Sequence, residues 1–237
     1  MIIQYDGTEY SGWQIQNNAD TVQKQITGAI NMITKENINL IGSGRTDSGV
    51  HALGQVANFR TGLDLDIYKI KHSINAVLPR DISVISIESA EENFHARFDA
   101  KKRVYIYLFS KHKSPFWGKY SYFYHGDLNC SRLNRLSEFF IGKKDYTSFS
   151  RKNSETKNKV CKVYSAFWKE TRGLVVFKIE ADRFLHGMVR TVIGTLLESV
   201  KAGYDEKILG KIFAANERGK AGEAVPPNGL FLFKVKY

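Results

Sequence analysis

The sequence predicts an α+β protein made of two similar halves, and three observations lead to this class. Apolar residues alternate in short segments, as in strands, and recur every three to four positions in longer segments, as in helices. The first half reads strand, helix, strand, strand, helix, strand, and the second half repeats a related order. This order suggests ferredoxin-like halves, each with helices on one face of a sheet. We expect the halves to comprise residues 1–98 and 99–237, with a cleft between them.

The first half carries two helices between short strands. Val22, Ile26 and Ile30 keep helical spacing behind Asp20 or Thr21 as the N-cap. Pro79 ends the second helix, because proline lacks a backbone N–H and clashes with the preceding turn. The predicted elements are a strand at 2–5, a helix at 22–33, strands near 38–42 and 54–61, a helix at 67–77 and a strand at 82–87.

The second half repeats this theme with longer strands. Leu133, Leu136 and Phe140 indicate a helix that follows Asn129 or Ser131. Arg172-Gly173 marks the turn of a hairpin. The predicted elements are a strand at 104–109, a helix at 133–140, hairpin strands at 160–168 and 174–179, helices at 186–200 and 205–215, and a last strand at 230–235.

The composition favours a polyanionic partner. The chain has 237 residues, and its 35 Lys and Arg against 24 Asp and Glu leave a formal charge of +11. Such a charge attracts nucleic acid or an acidic surface over long distances and through counterion release. Residues 150–159 are basic and lack apolar periodicity, so we expect a mobile basic loop there.

Eight aromatic residues stand among basic residues and would suit the stacking of nucleic-acid bases. Packing within strands is the alternative, and we favour it for most of them. The eight are Tyr105, Tyr107, Phe116, Trp117, Tyr120, Tyr122, Phe123 and Tyr124.

The cysteine content and the hydropathy indicate a cytoplasmic protein. Cys130 and Cys161 form neither a CxxC motif nor a zinc-ligand spacing, so we expect free thiols in a reducing compartment and no metal. No apolar run reaches the roughly 18 residues that a membrane span needs. The chain starts in strand-like sequence, which predicts that it has no signal peptide.

The octapeptide Gly44–His51 is the motif that points most directly to chemistry. It places Arg45, Asp47 and His51 between glycines, on a loop that we expect two strands to hold. Asp47 has a structural alternative as a turn residue that caps backbone N–H groups. A second alternative, an anion-binding nest at 42–46, is weaker because no Gly-Lys-Ser/Thr follows.

Further motifs follow this loop in a fixed order, and together they resemble the tRNA pseudouridine synthase A (TruA) family. The matching segments are 5–7 (YDG), 12–14 (GWQ), 44–51 (GRTDSGVH), 54–56 (GQV), 94–98 (FHARF), 105–107 (YIY), 145–149 (DYTSF) and 184–190 (FLHGMVR). The resemblance implies a pseudouridine-synthase fold: a mixed, mainly antiparallel sheet with flanking helices and a central basic cleft. It also implies an isomerase that converts uridines thirty-eight to forty in the tRNA anticodon stem-loop. By the same resemblance we expect a homodimer that uses no cofactor, nucleotide or metal and binds no membrane.

The resemblance also assigns four site residues. Asp47 matches the catalytic aspartate, and Arg190 the arginine that pairs with it, because a guanidinium favours the charged form of a carboxylate. Arg45 matches the residue that helps to flip the target base, and Tyr105 the tyrosine that stacks on uracil. Arg190 has an alternative as a surface arginine and Arg45 as a phosphate contact. Tyr107 shares the strand face of Tyr105, and we expect it in the core.

Other candidates and two rival functions carry less weight. His51 and His186 lack partners at ligand spacing and are expected to be structural, and Asp6 is expected to be a turn residue. One rival is an RRM-like RNA-binding module without catalysis, which gives no reason for the Asp47 motif. The other is an N-glycoside hydrolase, which would release free uracil. A hydrolase of the paired-acid type would need a second carboxylate beside Asp47.

Overall fold

The computed structural model describes residues 1–152 and 156–237. The chain is α+β, as predicted, and consists of two compact units. The first unit is Met1–Lys101 with Phe231–Tyr237, and the second is Lys102–Leu230. The predicted boundary after residue 98 lies close to the passage from one unit to the other at Lys101, and the last seven residues return to the first unit. The predicted basic loop at 150–159 includes 153–155, which lie outside the described residues.

The helices and strands of the two units are numbered in chain order. Their bounds are β1 Ile2–Tyr5, α1 Val22–Thr34, β2 Ile41–Gly42, β3 His51–Asn58, α2 Ile67–Val77, β4 Ile82–Ser86, β5 Lys102–Ser110, β6 Tyr122–Phe123, α3 Cys130–Glu138, β7 Gly142–Asp145, β8 Val160–Thr171, β9 Leu174–Ala181, α4 Met188–Ala202, α5 Glu206–Ala215 and β10 Leu230–Lys236. Within the described ranges, no helix has the length and apolarity that a membrane crossing requires.

The first unit has a mixed sheet in the order β4-β1-β3-β10, with β2 paired to β3. Strands β1 and β4 are antiparallel, as are β1 and β3, whereas β10 runs parallel to β3 with Phe231 opposite His51. Helix α1 buries Val22, Ile26 and Ile30. Its N-cap is Thr21, one of the two predicted residues, whose side chain accepts a bond from Lys24 N.

The second unit has the order β7-β8-β9-β5, and β6 pairs with β5 in parallel. The pairs β5–β9, β9–β8 and β8–β7 are antiparallel. Helix α3 begins after Asn129, whose side chain accepts from Arg132 N. An aromatic cluster of Phe140, Tyr146, Phe149 and Phe213 fills part of its core. The ring centre of Phe213 lies within 6 Å of the ring centres of the other three residues, and that of Phe149 within 6 Å of those of Phe140 and Tyr146.

The predicted strand near 38–42 is wrong over most of its length, since only Ile41–Gly42 forms a strand. Ile38 and Leu40 are buried, but side chains of α1 bind their backbone groups in place of a neighbouring strand. Asn31 Oδ1 accepts from Ile38 N at 3.0 Å, and Gln23 Nε2 donates to Leu40 O at 2.8 Å. The next strand also differs, because it begins at His51 rather than at 54 and ends at Asn58.

An asparagine on a helix joins helix to strand in each unit. Asn75 of α2 donates to Val84 O at 2.9 Å and accepts from Val84 N at 2.8 Å. Asn134 of α3 does the same for Trp168, at 3.0 Å and 2.7 Å. Each amide therefore satisfies both backbone groups of one strand residue, which holds the helix at one register on its sheet.

Asn134→Ala tests this contact. Truncation leaves the backbone N–H and C=O of the buried Trp168 without their partner, so we expect the free energy of unfolding to fall by about 1–3 kcal/mol. Urea denaturation followed by circular dichroism measures it. The matched control is Asn18→Ala at an exposed position, for which we expect a change within about 0.5 kcal/mol. Equal stability of the two variants would contradict the role of Asn134.

Candidate active site

Asp47 lies half-buried in the loop between β2 and β3, which is the placement that the sequence predicted. The backbone of the loop is bonded at both ends. The Ser43 amide donates to Val56 O at 2.7 Å, and the Val50 amide donates to Asp47 O at 3.1 Å. Ser43, Thr46 and Val50 are buried. The loop therefore presents Asp47 from a backbone with little freedom to move.

Thr46 connects this loop to the first strand. Its hydroxyl lies 2.8 Å from the hydroxyl of Tyr5, and both residues are buried. Burial raises the pKa of Tyr5 well above its usual range, with a smaller opposing effect from its bond to Thr46. The phenol therefore stays protonated at neutral pH and remains able to donate.

Gly12 allows the turn after β1 to pass directly against the loop. Its φ is +89°, and a Cβ at this position would lie 2.5 Å from Thr46 O. Next to it, the Trp13 amide donates to the same carbonyl at 3.1 Å. The Trp13 ring in turn lies where a Cβ on Gly42 would be, 2.5 Å from its Nε1. Gly12 is therefore required by the close approach of Thr46, the residue before Asp47. Gly42 is required by the close approach of Trp13, whose amide bonds to Thr46.

Tyr10 holds the other side of the loop through its backbone. Its carbonyl accepts from the Gly49 amide at 3.3 Å and from Ser48 Oγ at 3.2 Å. The phenol of Tyr10 donates to Asp81 Oδ1 at 2.7 Å. Burial, followed by the bond to Asp81, raises the pKa of Tyr10, so this anchor also persists at neutral pH.

Gln55 on β3 supports the start of the loop from within. Its Oε1 accepts from Ser43 Oγ at 2.7 Å, and its Nε2 donates to Gly44 O at 2.9 Å. Gln55 has no exposed surface. A buried amide with both ends bonded fixes the backbone immediately before Arg45.

Arg45 is exposed, and its Nε donates to Gln14 Oε1 at 3.1 Å. The backbone around Gln14 is bonded on both sides to the buried Gln23. The Gln23 amide donates to Trp13 O at 3.0 Å, and Gln23 Oε1 accepts from the Ile15 amide at 3.1 Å. Within residues 1–152 and 156–237, the bond to Gln14 uses one of the five guanidinium N–H groups of Arg45, and a ligand can use the others.

His51 and Asp6 are structural, as predicted. His51 is buried and stacks on Phe231 at 4.7 Å between ring centres. Its Nδ1 accepts from the Gly7 amide at 3.1 Å and lies 3.1 Å from Asp6 Oδ1. Asp6 also accepts from the amide and hydroxyl of Thr8, which is the bonding of a turn residue.

Tyr105 and Tyr107 lie on β5 of the second unit and differ in their surroundings. Tyr105 is 8% exposed and meets the ring of Phe184 edge-on at 5.1 Å. Tyr107 is fully buried and donates to Pro226 O at 2.8 Å, which confirms it as a core residue. Burial raises the pKa of Tyr107, and the nearby positive charge of Arg190 opposes this rise.

Arg190 lies in the first turn of α4, as predicted, and is half-buried. Its Nε donates to Val225 O at 2.6 Å, and the Val225 amide donates to Arg190 O at 3.3 Å. The guanidinium of Arg190 is therefore oriented by the segment that precedes β10.

His186 lies just before the helix and is exposed. Its backbone carbonyl accepts from the Arg151 amide at 3.0 Å.

Two glycines let this segment approach α4 closely enough to hold Arg190. A Cβ on Gly194 would lie 1.7 Å from Glu223 O, and a Cβ on Gly222 would lie 2.9 Å from Thr195 N. The Gly222 amide also donates to Thr195 Oγ1 at 3.0 Å. Any side chain at Gly194 would push the segment away from the helix, and the bond to Arg190 would be lost with it.

The four predicted site residues divide equally between the units. Arg45 and Asp47 share one loop of the first unit, and Tyr105 and Arg190 belong to the second. Residues 1–152 and 156–237 contain no group of three or more His, Cys, Asp or Glu side chains placed to hold a metal ion.

Sequence reasoning missed the residues that support these four. Gln14 and Gln55 stood within matched motifs without an assigned role, and a glutamine beside a glycine-rich loop was the available signal. Val225 contributes only its backbone, so its residue type carried no signal.

Comparisons with known proteins agree with the motifs. A family model described as tRNA pseudouridine synthase matches residues 1–99 and 137–237. The tRNA pseudouridine synthase A of Thermoanaerobacter sp. (strain X514) is 37% identical over 239 residues, which cover 100% of this chain and 98% of the relative. That of Bacteroides fragilis is 40% identical over 235 residues, covering 98% and 93%. A solved chain from an archaeal box H/ACA sRNP complex aligns with a TM-score of 0.38 at 13% identity, over 82% of this chain and 44% of that chain, which is too distant to bear on the site.

The fold, the loop and full-length similarity together define the class as a pseudouridine synthase. This chain belongs to the tRNA pseudouridine synthase A (TruA) family, and it is an isomerase.

Gly12→Ala tests how the turn after β1 supports Asp47. The added methyl group would clash with Thr46 O, and the positive φ of this residue disfavours alanine. We therefore expect the free energy of unfolding to fall by about 1–3 kcal/mol. A shifted loop should also lower pseudouridine formation by about a hundredfold. Thermal denaturation and a tRNA modification assay measure the two effects.

The matched control is Gly28→Ala, because a Cβ at this exposed position of α1 meets nothing within 4 Å. Alanine there should raise the free energy of unfolding by about 0.5–1 kcal/mol and leave activity unchanged. A Gly12→Ala chain that matches native stability and activity would contradict the proposed contact.

Proposed function

We propose that this isomerase converts uridine to pseudouridine in the anticodon stem-loop of tRNA, at positions thirty-eight to forty, with Asp47 as the catalytic carboxylate. The observation that carries the proposal is the support of the Asp47 loop from three sides. Thr46 is bonded to Tyr5 and Trp13, and Gly49 is bonded to Tyr10. A carboxylate held in this way is preorganised, so little energy is spent on orienting it during the reaction.

The reaction requires neither an oxidant nor a co-substrate. The bond between N1 of uracil and C1′ of ribose breaks, the base turns, and C1′ bonds to C5. The proton on C5 is lost and N1 gains one, so the product is an isomer of the substrate. Asp47 can act as a nucleophile or can remove a proton from the ribose, and both roles need the ionised carboxylate.

The other three residues take the roles that the family resemblance gives them. Arg190 is proposed as a substrate-binding residue. Arg45 fills the space that the flipped base leaves, and its fixed Nε supports such a role. Tyr105 stacks on the extruded uracil. We further propose a homodimer in the cytoplasm, and the formal charge of +11 supports binding to tRNA.

Asp47→Ala and Asp47→Asn test the central assignment. Either change removes the ionised carboxylate, so we expect pseudouridine formation in an unmodified tRNA transcript to fall by about ten thousandfold or more. Nucleotide-resolved mapping identifies the modified positions, and a filter-binding assay follows RNA affinity, which should stay within about threefold of native. The matched control is Asp66→Asn, since asparagine is an equally good N-cap for α2 and activity should persist.

Three other outcomes would overturn parts of the proposal. A native chain that binds tRNA and forms no pseudouridine is better described as an RNA-binding module. Release of free uracil would identify an N-glycoside hydrolase. Modification outside the anticodon stem-loop would contradict the proposed positions and leave the role of Asp47 intact.

Arg190→Lys tests the oriented guanidinium. Lysine keeps the charge but loses the planar fork and the bond from Nε to Val225 O, so we expect kcat/KM to fall by about tenfold or more. Steady-state kinetics on the same transcript measure this effect. Arg218→Lys is the control, because Arg218 also donates to a backbone carbonyl, that of Ala221, within the same unit. Equal kinetics for both variants would contradict the role of Arg190.

A further inference from the structure

Three large aromatic side chains are exposed in the segment between β5 and β6. Phe116 is 85% exposed, Trp117 54% and Tyr120 36%. Sequence reasoning favoured strand packing for most of the eight aromatics, and these three depart from it because they lie outside any strand. Three large exposed aromatic residues within five positions of the chain are candidates for a binding surface.

Hydrogen bonds give this segment a defined conformation. Ser114 Oγ accepts from the amides of Phe116 and Trp117 at 3.2 Å and 3.4 Å, and Ser114 O accepts from the Gly118 amide at 3.0 Å. Trp117 O accepts from Ser121 Oγ at 2.7 Å. The aromatic residues thus belong to a folded turn. Because the turn is already ordered, less conformational entropy is lost when a ligand binds.

The turn is also anchored to the segment that orients Arg190. Asn228 Nδ2 donates to Gly118 O and to Ser121 O, each at 2.9 Å. Asn228 lies three residues after Val225, whose carbonyl accepts from Arg190 Nε. One continuous backbone segment of the second unit therefore holds both the exposed rings and a predicted site arginine.

The charges around the rings favour an anionic ligand. Lys113 precedes the aromatic residues and Lys119 lies between Trp117 and Tyr120, with its ammonium 5.5 Å from the centre of the Tyr120 ring. Lys111, a little earlier in the chain, pairs with Glu170 on β8. Aromatic faces next to lysines are the combination that binds unpaired bases together with their phosphates.

We propose that Phe116, Trp117 and Tyr120 form a stacking platform for unpaired bases of the RNA substrate, separate from the Asp47 loop. The proposal rests on the proposed function in taking tRNA as the substrate. RNA suits this surface because its phosphates are complementary in charge to the lysines beside the rings, on a chain whose formal charge is +11. Any base can stack on such a platform, so it would contribute affinity without base specificity.

Trp117 makes a direct test possible. The other two tryptophans, Trp13 and Trp168, are 2% and 3% exposed, so acrylamide quenching of native fluorescence reports mainly on Trp117. We expect an unmodified tRNA transcript to shield Trp117 from acrylamide, and Trp117→Phe to abolish the change. Unaltered quenching at saturating RNA would overturn the proposal.

Variants then separate stacking from simple apolar contact. Phe116→Leu and Trp117→Leu keep apolar bulk without an aromatic face, and we expect each to weaken tRNA binding by about tenfold. Phe116→Tyr should bind as the native chain does. Met32→Ala is the control for loss of an exposed apolar side chain elsewhere, because Met32 on α1 is 58% exposed. Melting temperatures should stay unchanged throughout, since these side chains contribute little to the core.

The outcomes distinguish this proposal from the proposed function. At saturating tRNA the leucine variants should keep the native kcat, because they lack only affinity, whereas Asp47→Asn keeps affinity and loses kcat. Native affinity in both leucine variants would overturn the platform and leave the catalytic assignment untouched. Shielding of Trp117 that grows with protein concentration in the absence of RNA would instead identify the surface as an interface between two copies and would overturn the proposal.

Discussion

Thr46 is held through both its hydroxyl and its carbonyl, and the arrangement of the loop that carries Asp47 depends on these contacts. The hydroxyl meets Tyr5 in the core, and the carbonyl accepts from the Trp13 amide, which Gly12 allows to come close. All of these groups are neutral and buried, so salt and moderate pH changes do not weaken them. The residue that follows, Asp47, is therefore carried by a backbone that neutral contacts hold in place.

The two arginines of the predicted site are held by the same kind of hydrogen bond. In Arg45 and in Arg190, Nε donates to a fixed oxygen, that of Gln14 in one case and of Val225 in the other. A bond at Nε fixes the plane of the guanidinium. Side-chain entropy is thus spent during folding rather than during binding, which suits a site for a large, highly charged substrate.

Local sequence was sufficient for much of the fold. Helix α1 was predicted from the spacing of Val22, Ile26 and Ile30, because an amphipathic helix repeats its apolar face within one segment. The predicted strand near 38–42 was wrong over residues 38–40 for the opposite reason. Its apolar residues are buried as expected, but the amide groups of Gln23 and Asn31 bind its backbone, and no local pattern reveals a partner on another element.

The family, and the chemistry proposed for the site, were suggested by residue types in order: a carboxylate among glycines, with arginines and a tyrosine at the spacing of one family. The hydrogen bonds that hold these groups in place appear only in the folded structure. Tyr105 and Tyr107 looked alike in sequence, yet only Tyr107 donates to Pro226 O in the core. The exposed rings of Phe116 and Trp117 likewise depend on contacts between distant residues, as in the bonds from Asn228 to their turn. Residue type limits what a side chain can do, whereas its exposure and partners follow from long-range packing that adjacent residues do not encode.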